Sequence, residues 1–356
     1  MRTLRPIDCH RRAILRSGIK LAAFAAAPTG LGITGAFGGE SWPTPSITVI
    51  VPFPPGGQAE LAAVPIAAEL HRHLNIEVEI DYRTGDAGAV GNAAAAHAKP
   101  DGATLLIALT SVITLPESSR QSSVVVPYEM EQLRPIARIL SDPLMLAVQA
   151  SAPWANLDSF LDDARARPQA IPYGSNGPFG TQHVAMGLLQ QEAGITLQHQ
   201  PYQGAGPALK ALLKGEVMAV PLASGLVLKH VKENRLRVLA SWGNQRTAQF
   251  ADVPTLKELG FGAAEYYTWA GLFAPAGVSE GLTRHLRFEV RRAANDPVLA
   301  MIFERAGSPL AYMDTPEFLA FIASESARLL PVVRKMVASE RNLTAAAGSK
   351  AEAPRN

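Results

Sequence analysis

Two kinds of block alternate along residues 42–340. In one, β-branched and other apolar residues run together for five or six positions; in the other, apolar residues recur three or four apart. Residues 47–52 predict a strand, 61–74 a helix, 77–81 a strand, 89–98 a helix and 104–109 a third strand. Beyond the extended segment 144–149 the rhythm resumes. Helices are expected at 156–166, 181–192, 207–213 and 226–233, with strands at 171–174, 196–200, 217–222 and 238–242. The chain then passes through 265–273, and helices are expected at 282–295, 297–306 and 316–335. This alternation predicts an α/β protein with mostly parallel sheets flanked by helices. Strand-to-helix turns, where open α/β sheets place their ligands, carry the glycines and prolines. A chain that crosses to a second α/β lobe and returns would put a cleft between the two.

Composition changes this picture at the N-terminus. The chain has 356 residues, 47% hydrophobic and 18% charged, as in soluble globular proteins, and its length favours two domains. The sequence pI of about 8.7 suggests a polyanion partner. Residues 1–38, however, hold six Lys/Arg and one acid; without them 27 bases face 30 acids, a net charge of −3. A nucleic-acid partner is therefore not expected. The same segment reads as an export signal: basic residues, then Leu21 to Ala27, then small residues. His10-Arg11-Arg12 leaves two routes open, twin-arginine and general secretory. The single cysteine, Cys9, lies inside it, so the mature chain would have no disulfide, thiolate metal site or cysteine nucleophile. No later run is apolar enough for a membrane span. A periplasmic protein is expected. Domain boundaries follow: 1–38 a signal, 39–147 with 266–344 a discontinuous first lobe, 148–265 a second lobe, and 345–356 a polar, disordered tail.

Candidate chemistry begins at VPFPPGGQAE, residues 51–60, between the first strand and its helix. Two glycines let a ligand approach the backbone, the prolines remove competing donors, and a helix start supplies free N–H groups. This is half of an anion site. One helix terminus contributes ~0.3–1 kcal/mol, up to ~2 when partly buried, whereas micromolar binding needs about −8.2 kcal/mol. Other donors must share the task. The Ser-Asn-Gly loop before the helix at 181–192 could supply them, although Thr181 could equally be an ordinary cap.

The segments VPFPPGG, YRTGDAGAVGN with AKPDGATLLIA, IPYGSNGPFGTQHVA, PYQGAGPALKALLKGEV, LRVLASW and ADVPTLKELG keep one order along nearly the whole mature chain. Together they resemble the substrate-binding receptors of tripartite tricarboxylate transporters, the Bug family. The resemblance implies a two-lobe periplasmic binding protein fold of type II, with a small organic acid held between the lobes and no cofactor, metal or catalytic residue. It implies ligand contacts from Phe53, Pro54, Gly56, Gly57 and Gln58, from Gly85, Asp86, Ala87 and Gly88, and from Ser175, Asn176, Gly180 and Thr181. Thr110, Ser111, His183 and Ala223 are further candidates, His183 more for packing than for contact. Ser141 and Asp142 are weaker ones. The implied partner is a two-subunit integral-membrane permease, served by a monomeric receptor.

Departures from the pattern matter. Glu60 stands where relatives carry Asp, and a role at its own helix start is expected. Asp86 would repel a carboxylate if it faced inward, so it should point to solvent or the ligand must differ. Met218 and Leu222 replace two acids, which disfavours an amino-acid ligand. Tyr266, Tyr267 and Trp269 are expected as hinge packing. Two other outputs compete. A receptor of this fold could signal to a membrane kinase, and an exported hydrolase could use Ser175 with His183. The latter lacks a G-x-S-x-G elbow because Tyr173 occupies the first glycine position.

Overall fold

In the computed structural model, described for residues 42–121 and 125–351, strands and helices alternate as β1 (Ser46–Val51), α1 (Gln58–Leu74), β2 (Glu77–Tyr82), α2 (Ala89–Ala96), β3 (Thr104–Leu109) and α3 (Ser111–Gln121). A 17-residue strand, β4 (Leu133–Gln149), leads to α4 (Leu157–Ala166), β5 (Pro172–Ser175), α5 (Thr181–Ala193), β6 (Gln198–Pro201), α6 (Ala205–Lys214), β7 (Ala219–Ala223), α7 (Ser224–Lys232) and β8 (Leu236–Ser241). The chain returns through β9 (Tyr267–Pro275) and ends with α8 (Glu280–Ala294), α9 (Pro297–Arg305), β10 (Leu310–Asp314) and α10 (Glu317–Ala351). The expected export signal, Cys9 and residues 352–356 lie outside the described residues. The expected tail begins at Ala345, yet α10 continues to Ala351. Alanines at 345–347 are strong helix formers and carry the last turns.

Two pairing groups share β4. In the first, β1 pairs in parallel with β2 and β3, β9 pairs antiparallel with β3 and β4, and β10 adds to β4. In the second, β5 pairs in parallel with β6 and β7, while β7 and β8 run antiparallel to β4. Both sheets are thus mixed rather than mostly parallel. The cause is that β4 leaves the first sheet and β9 re-enters it, so the crossing strands oppose each other. β4 changes partner within one step: Pro143 faces Tyr267 of β9, and Leu144 faces Ala223 of β7.

Burial follows the periodicities read from sequence. Helix α1 buries Ala59, Ala62, Ala63, Ile66, Ala67 and Leu70 at helical spacing against β1 and β3. On β7, Val220 and Leu222 enter a core with Met145 and Leu212, while Ala219 and Ala223 face the opposite way. Leu222 is therefore a core residue of the second sheet. At the return crossing Tyr266 and Trp269 are buried, with Trp269 edge-on to Phe318 and Phe321.

Candidate functional site

Four helices begin around one point. The first turns of α1 (Gln58, Ala59), α5 (Thr181, Gln182), α6 (Ala205, Gly206) and α7 (Leu226, after Ala223) line a narrow cavity of about 30 Å³, roofed by Phe53 and Pro54. Their N-caps are Gly57, Gly180, Gly204 and Ala223, and none makes a side-chain cap. Asn156, Ser279 and Asp296 cap α4, α8 and α9 with side-chain oxygens, whereas α2, away from the cavity, also starts at an uncapped glycine, Gly88. First-turn amides are orphan donors, and at the cavity four helix starts bring such donors together. In α5 the Asn176 carboxamide oxygen takes the Gln182 N–H at 3.0 Å.

Charge is absent from this wall. Among the described residues lining the cavity there is no Lys, Arg, His, Asp or Glu. An anion placed here would be balanced by helix ends and the Thr181 hydroxyl alone. Four termini at up to ~2 kcal/mol each reach the ~8 kcal/mol scale only at their upper limits. Thr181 adds a donor: its oxygen already accepts from Asn176 Nδ2 at 3.0 Å, which leaves its proton for a ligand.

Gln58 is fixed from behind. Its Nε2 donates to Asp142 Oδ2 at 2.5 Å, and Asp142 sits one residue before the step where β4 changes sheet. Burial pushes the Asp142 carboxyl up to about 6, against the pull of Ser308 and Gln58 hydrogen bonds. Glu60 turns back on its own loop: Gly56 N–H donates to Glu60 Oε2 at 2.6 Å, and Tyr82 bonds the other oxygen. This is the helix-start role expected of it. Gly56 lines an adjoining, mainly apolar groove of about 520 Å³ that shares Gly57, Gln58, Ala223 and Leu226 with the cavity and borders Val64 and Ile302.

The jaws touch through their loops. Gly177, at φ +116°, lies so close to Ala87 that a Cβ there would sit 3.0 Å from the Ala87 methyl. Gly204, at φ +132°, abuts Pro54 in the same way. Thr114 Oγ1 donates to Phe179 O at 2.9 Å across the same seam. Gly85, Asp86, Ala87 and Gly88 form a left-handed turn that supports this seam and does not reach the cavity wall. Asp86 is exposed, so its charge faces solvent.

Of the other residues expected at the site, Phe53, Pro54, Gly57, Gln58, Asn176, Thr181 and Ala223 line the cavity. Thr110 instead accepts from Trp269 N–H at 3.0 Å, and Ser111 donates to Ala87 O at 3.1 Å. Ser175 is fully buried and meets His199 Nε2 at 2.6 Å, not His183. His183 Nδ1 accepts from Phe179 N–H at 2.9 Å, and its ring stacks on His199 at 3.8 Å and 11°. Burial drives His183 well below the usual histidine range and His199 down to about 4, so both are neutral at pH 7. Ligand atoms of His183, His199 and Glu340 lie within 4.8 Å of one another. Because His183 Nδ1 accepts from Phe179 N–H, its neutral ring carries the proton on Nε2, the atom facing Glu340 at 3.5 Å, and that nitrogen has no lone pair for an ion.

Gln182, Ala205, Gly206, Leu109, Leu144 and Leu226 also line the cavity without having been expected. Gln182 could have been found from its place beside Thr181 at a helix start. The leucines offer no such signal.

The model of the tripartite tricarboxylate transporter family receptor matches residues 63–337. The chain belongs to this family of solute-binding receptors. Protein BugT of Bordetella pertussis is 30% identical over 305 residues, 85% of this chain and 93% of that one. A solved periplasmic transporter is similar over 83% of this chain and 98% of its own, with TM-score 0.77 and 27% identity. Rpa4515 of R. palustris, solved with adipate, gives TM-score 0.76 and 25% identity over the same shares. The fold is that of two-lobe periplasmic binding proteins, and the family is one of receptors, not enzymes. No helix among the described residues is long and apolar enough to cross a membrane.

Proposed function

We propose that this receptor captures a small organic carboxylate between two lobes and releases it to a two-subunit integral-membrane permease. The observation that carries the reading is the convergence of four helix starts, whose N-cap residues carry no capping side chain, on a cavity with no charged wall; Asn176 engages the Gln182 amide of α5, and no N-cap side chain engages the others. Adipate in the Rpa4515 relative is in keeping with a carboxylate. The lobes divide where β4 and β9 cross, at Asp142–Leu144 and Tyr266–Tyr267, and turn about those strands. A cavity of about 30 Å³ has room for little more than water, so entry requires the Ala87–Gly177 and Pro54–Gly204 contacts to part. Residues 1–38 direct export to the periplasm, where the mature chain acts as a monomer without cofactor or nucleic acid.

The test is a thermal-shift screen of the mature protein against mono-, di- and tricarboxylates. A true ligand at ~100 times its Kd adds ~2.7 kcal/mol of stability. A rise in melting temperature for one subset of acids supports the reading. No rise with any acid, or turnover of one, overturns it.

A further inference from the structure

The cavity and the groove beside it share Gly57, Gln58, Ala223 and Leu226, so the starts of α1 and α7 line both. The two spaces differ in kind. One of about 30 Å³ holds roughly two waters, and so the two oxygens of one carboxylate, but no carbon chain. The groove, about 520 Å³, is lined by Leu61, Val64 and Pro65 of α1, Leu226 of α7 and Ile302 of α9. Val64 and Ile302 leave 46% and 42% of their surface exposed, so two large aliphatic side chains meet water beside the site. One side of the groove is closed where α7 rests on the turn after α9: Ser224 Oγ donates to Gly307 O at 2.8 Å, and Gly225 abuts Ala306 O too closely for a Cβ. Among the described residues lining the groove there is no Lys, Arg or His. Its one acid is Glu60, already bonded to Gly56 N–H and Tyr82.

We infer that the groove takes the apolar tail of the ligand whose carboxylate sits at the helix starts, so that this receptor selects monocarboxylates with a tail of several carbons over dicarboxylates of the same length. This rests on the carboxylate reading above. The tail covers Val64, Leu226 and Ile302, and it touches both lobes because α7 belongs to one and α1 to the other. A second carboxylate at the far end of the chain would lose water without gaining a cation, and it would meet Glu60.

Calorimetric titration of the mature chain with butanoate, hexanoate and octanoate against succinate, adipate and suberate tests this. Affinity should rise up to roughly fourfold per added methylene along the monocarboxylates, about 30- to 300-fold from butanoate to octanoate. Hexanoate and octanoate should each bind more tightly than the diacid of equal length. Joint replacement Val64→Ser and Ile302→Ser, checked by thermal melt, should cut the octanoate-to-butanoate ratio by roughly tenfold or more. A flat monocarboxylate series, tighter binding of the diacids, or a ratio that survives the double replacement overturns the inference and leaves the carboxylate reading intact. Octanol binding as tightly as octanoate shows the tail seated without the head and overturns it as well. Absence of binding by every acid overturns the carboxylate reading and this inference with it. Both replaced positions are half-exposed; if the variant does not fold, the native series alone decides.

Discussion

Asp142 shows how one side chain links stability to the site. Its folded value of about 6 lies above the ordinary carboxyl value, and burial is the main cause. Between about pH 4 and 6 the folded chain holds a proton that the unfolded chain releases. The stability this group supplies is therefore present at low pH and lost as pH rises through about 6; above that, the buried charge costs roughly 3 kcal/mol. Asp142→Asn keeps an acceptor for Gln58 without the charge. It should raise the melting temperature most at pH 7.5, about half as much at pH 5 and little at pH 3.5, and an equal effect at all three pH values would contradict this account of the residue. Sequence reading ranked Asp142 low because an isolated acid beside a proline carries no sign of its burial. It reached Gly57, Gln58 and Thr181 because glycine-rich strand-to-helix turns show a helix start directly. Ser175 illustrates the opposite case: its type suggests contact, but His199 and the Gly177 backbone engage it inside the protein. His183, expected more for packing, stacks on His199.

At the scale of elements, the uncapped helices are the feature that local stability alone would not favour. A glycine or alanine N-cap leaves amides without a partner that Ser, Asp or Asn would supply. Gly57 separates the two demands. Its φ of −115° suits any residue, and a Cβ there meets nothing closer than 4.0 Å. Gly57→Asp should hold or slightly raise stability, by about a few tenths of a kcal/mol, while placing a carboxylate among the donors and lowering acid affinity by roughly 100-fold or more. Thermal melts paired with calorimetry check this; undiminished affinity would remove α1 from the anion site. Most elements were legible within three residues because their apolar spacing is regular. Two were not. Helix α3 buries Val112, Ile113 and Leu115 and contains Pro116, so it has neither a polar face nor a typical helix composition. Strand β4 contains Pro135 and Pro143, which read as breaks; register shifts beside Pro135 absorb one, and the change of partner sheet follows the other.

For the whole molecule, the crossing of β4 and β9 explains both the discontinuous first sheet and the place of the cavity. The α/β rhythm made two lobes readable, but strand direction was not, since antiparallel crossing strands leave no mark in periodicity. The cavity joins helix starts from both sheets, as the proposed capture requires: α1 follows β1 of the first, while α5, α6 and α7 follow β5, β6 and β7 of the second. A ligand gripped from one side alone would give no reason for the lobes to close. The most direct measurement is a crystal structure of the mature chain with the best acid from the screen. The account predicts carboxylate oxygens about 3 Å from first-turn amides of α1 and of at least one helix among α5, α6 and α7. A ligand seated wholly in the apolar groove beside Val64 and Ile302, or touching one sheet only, would contradict it.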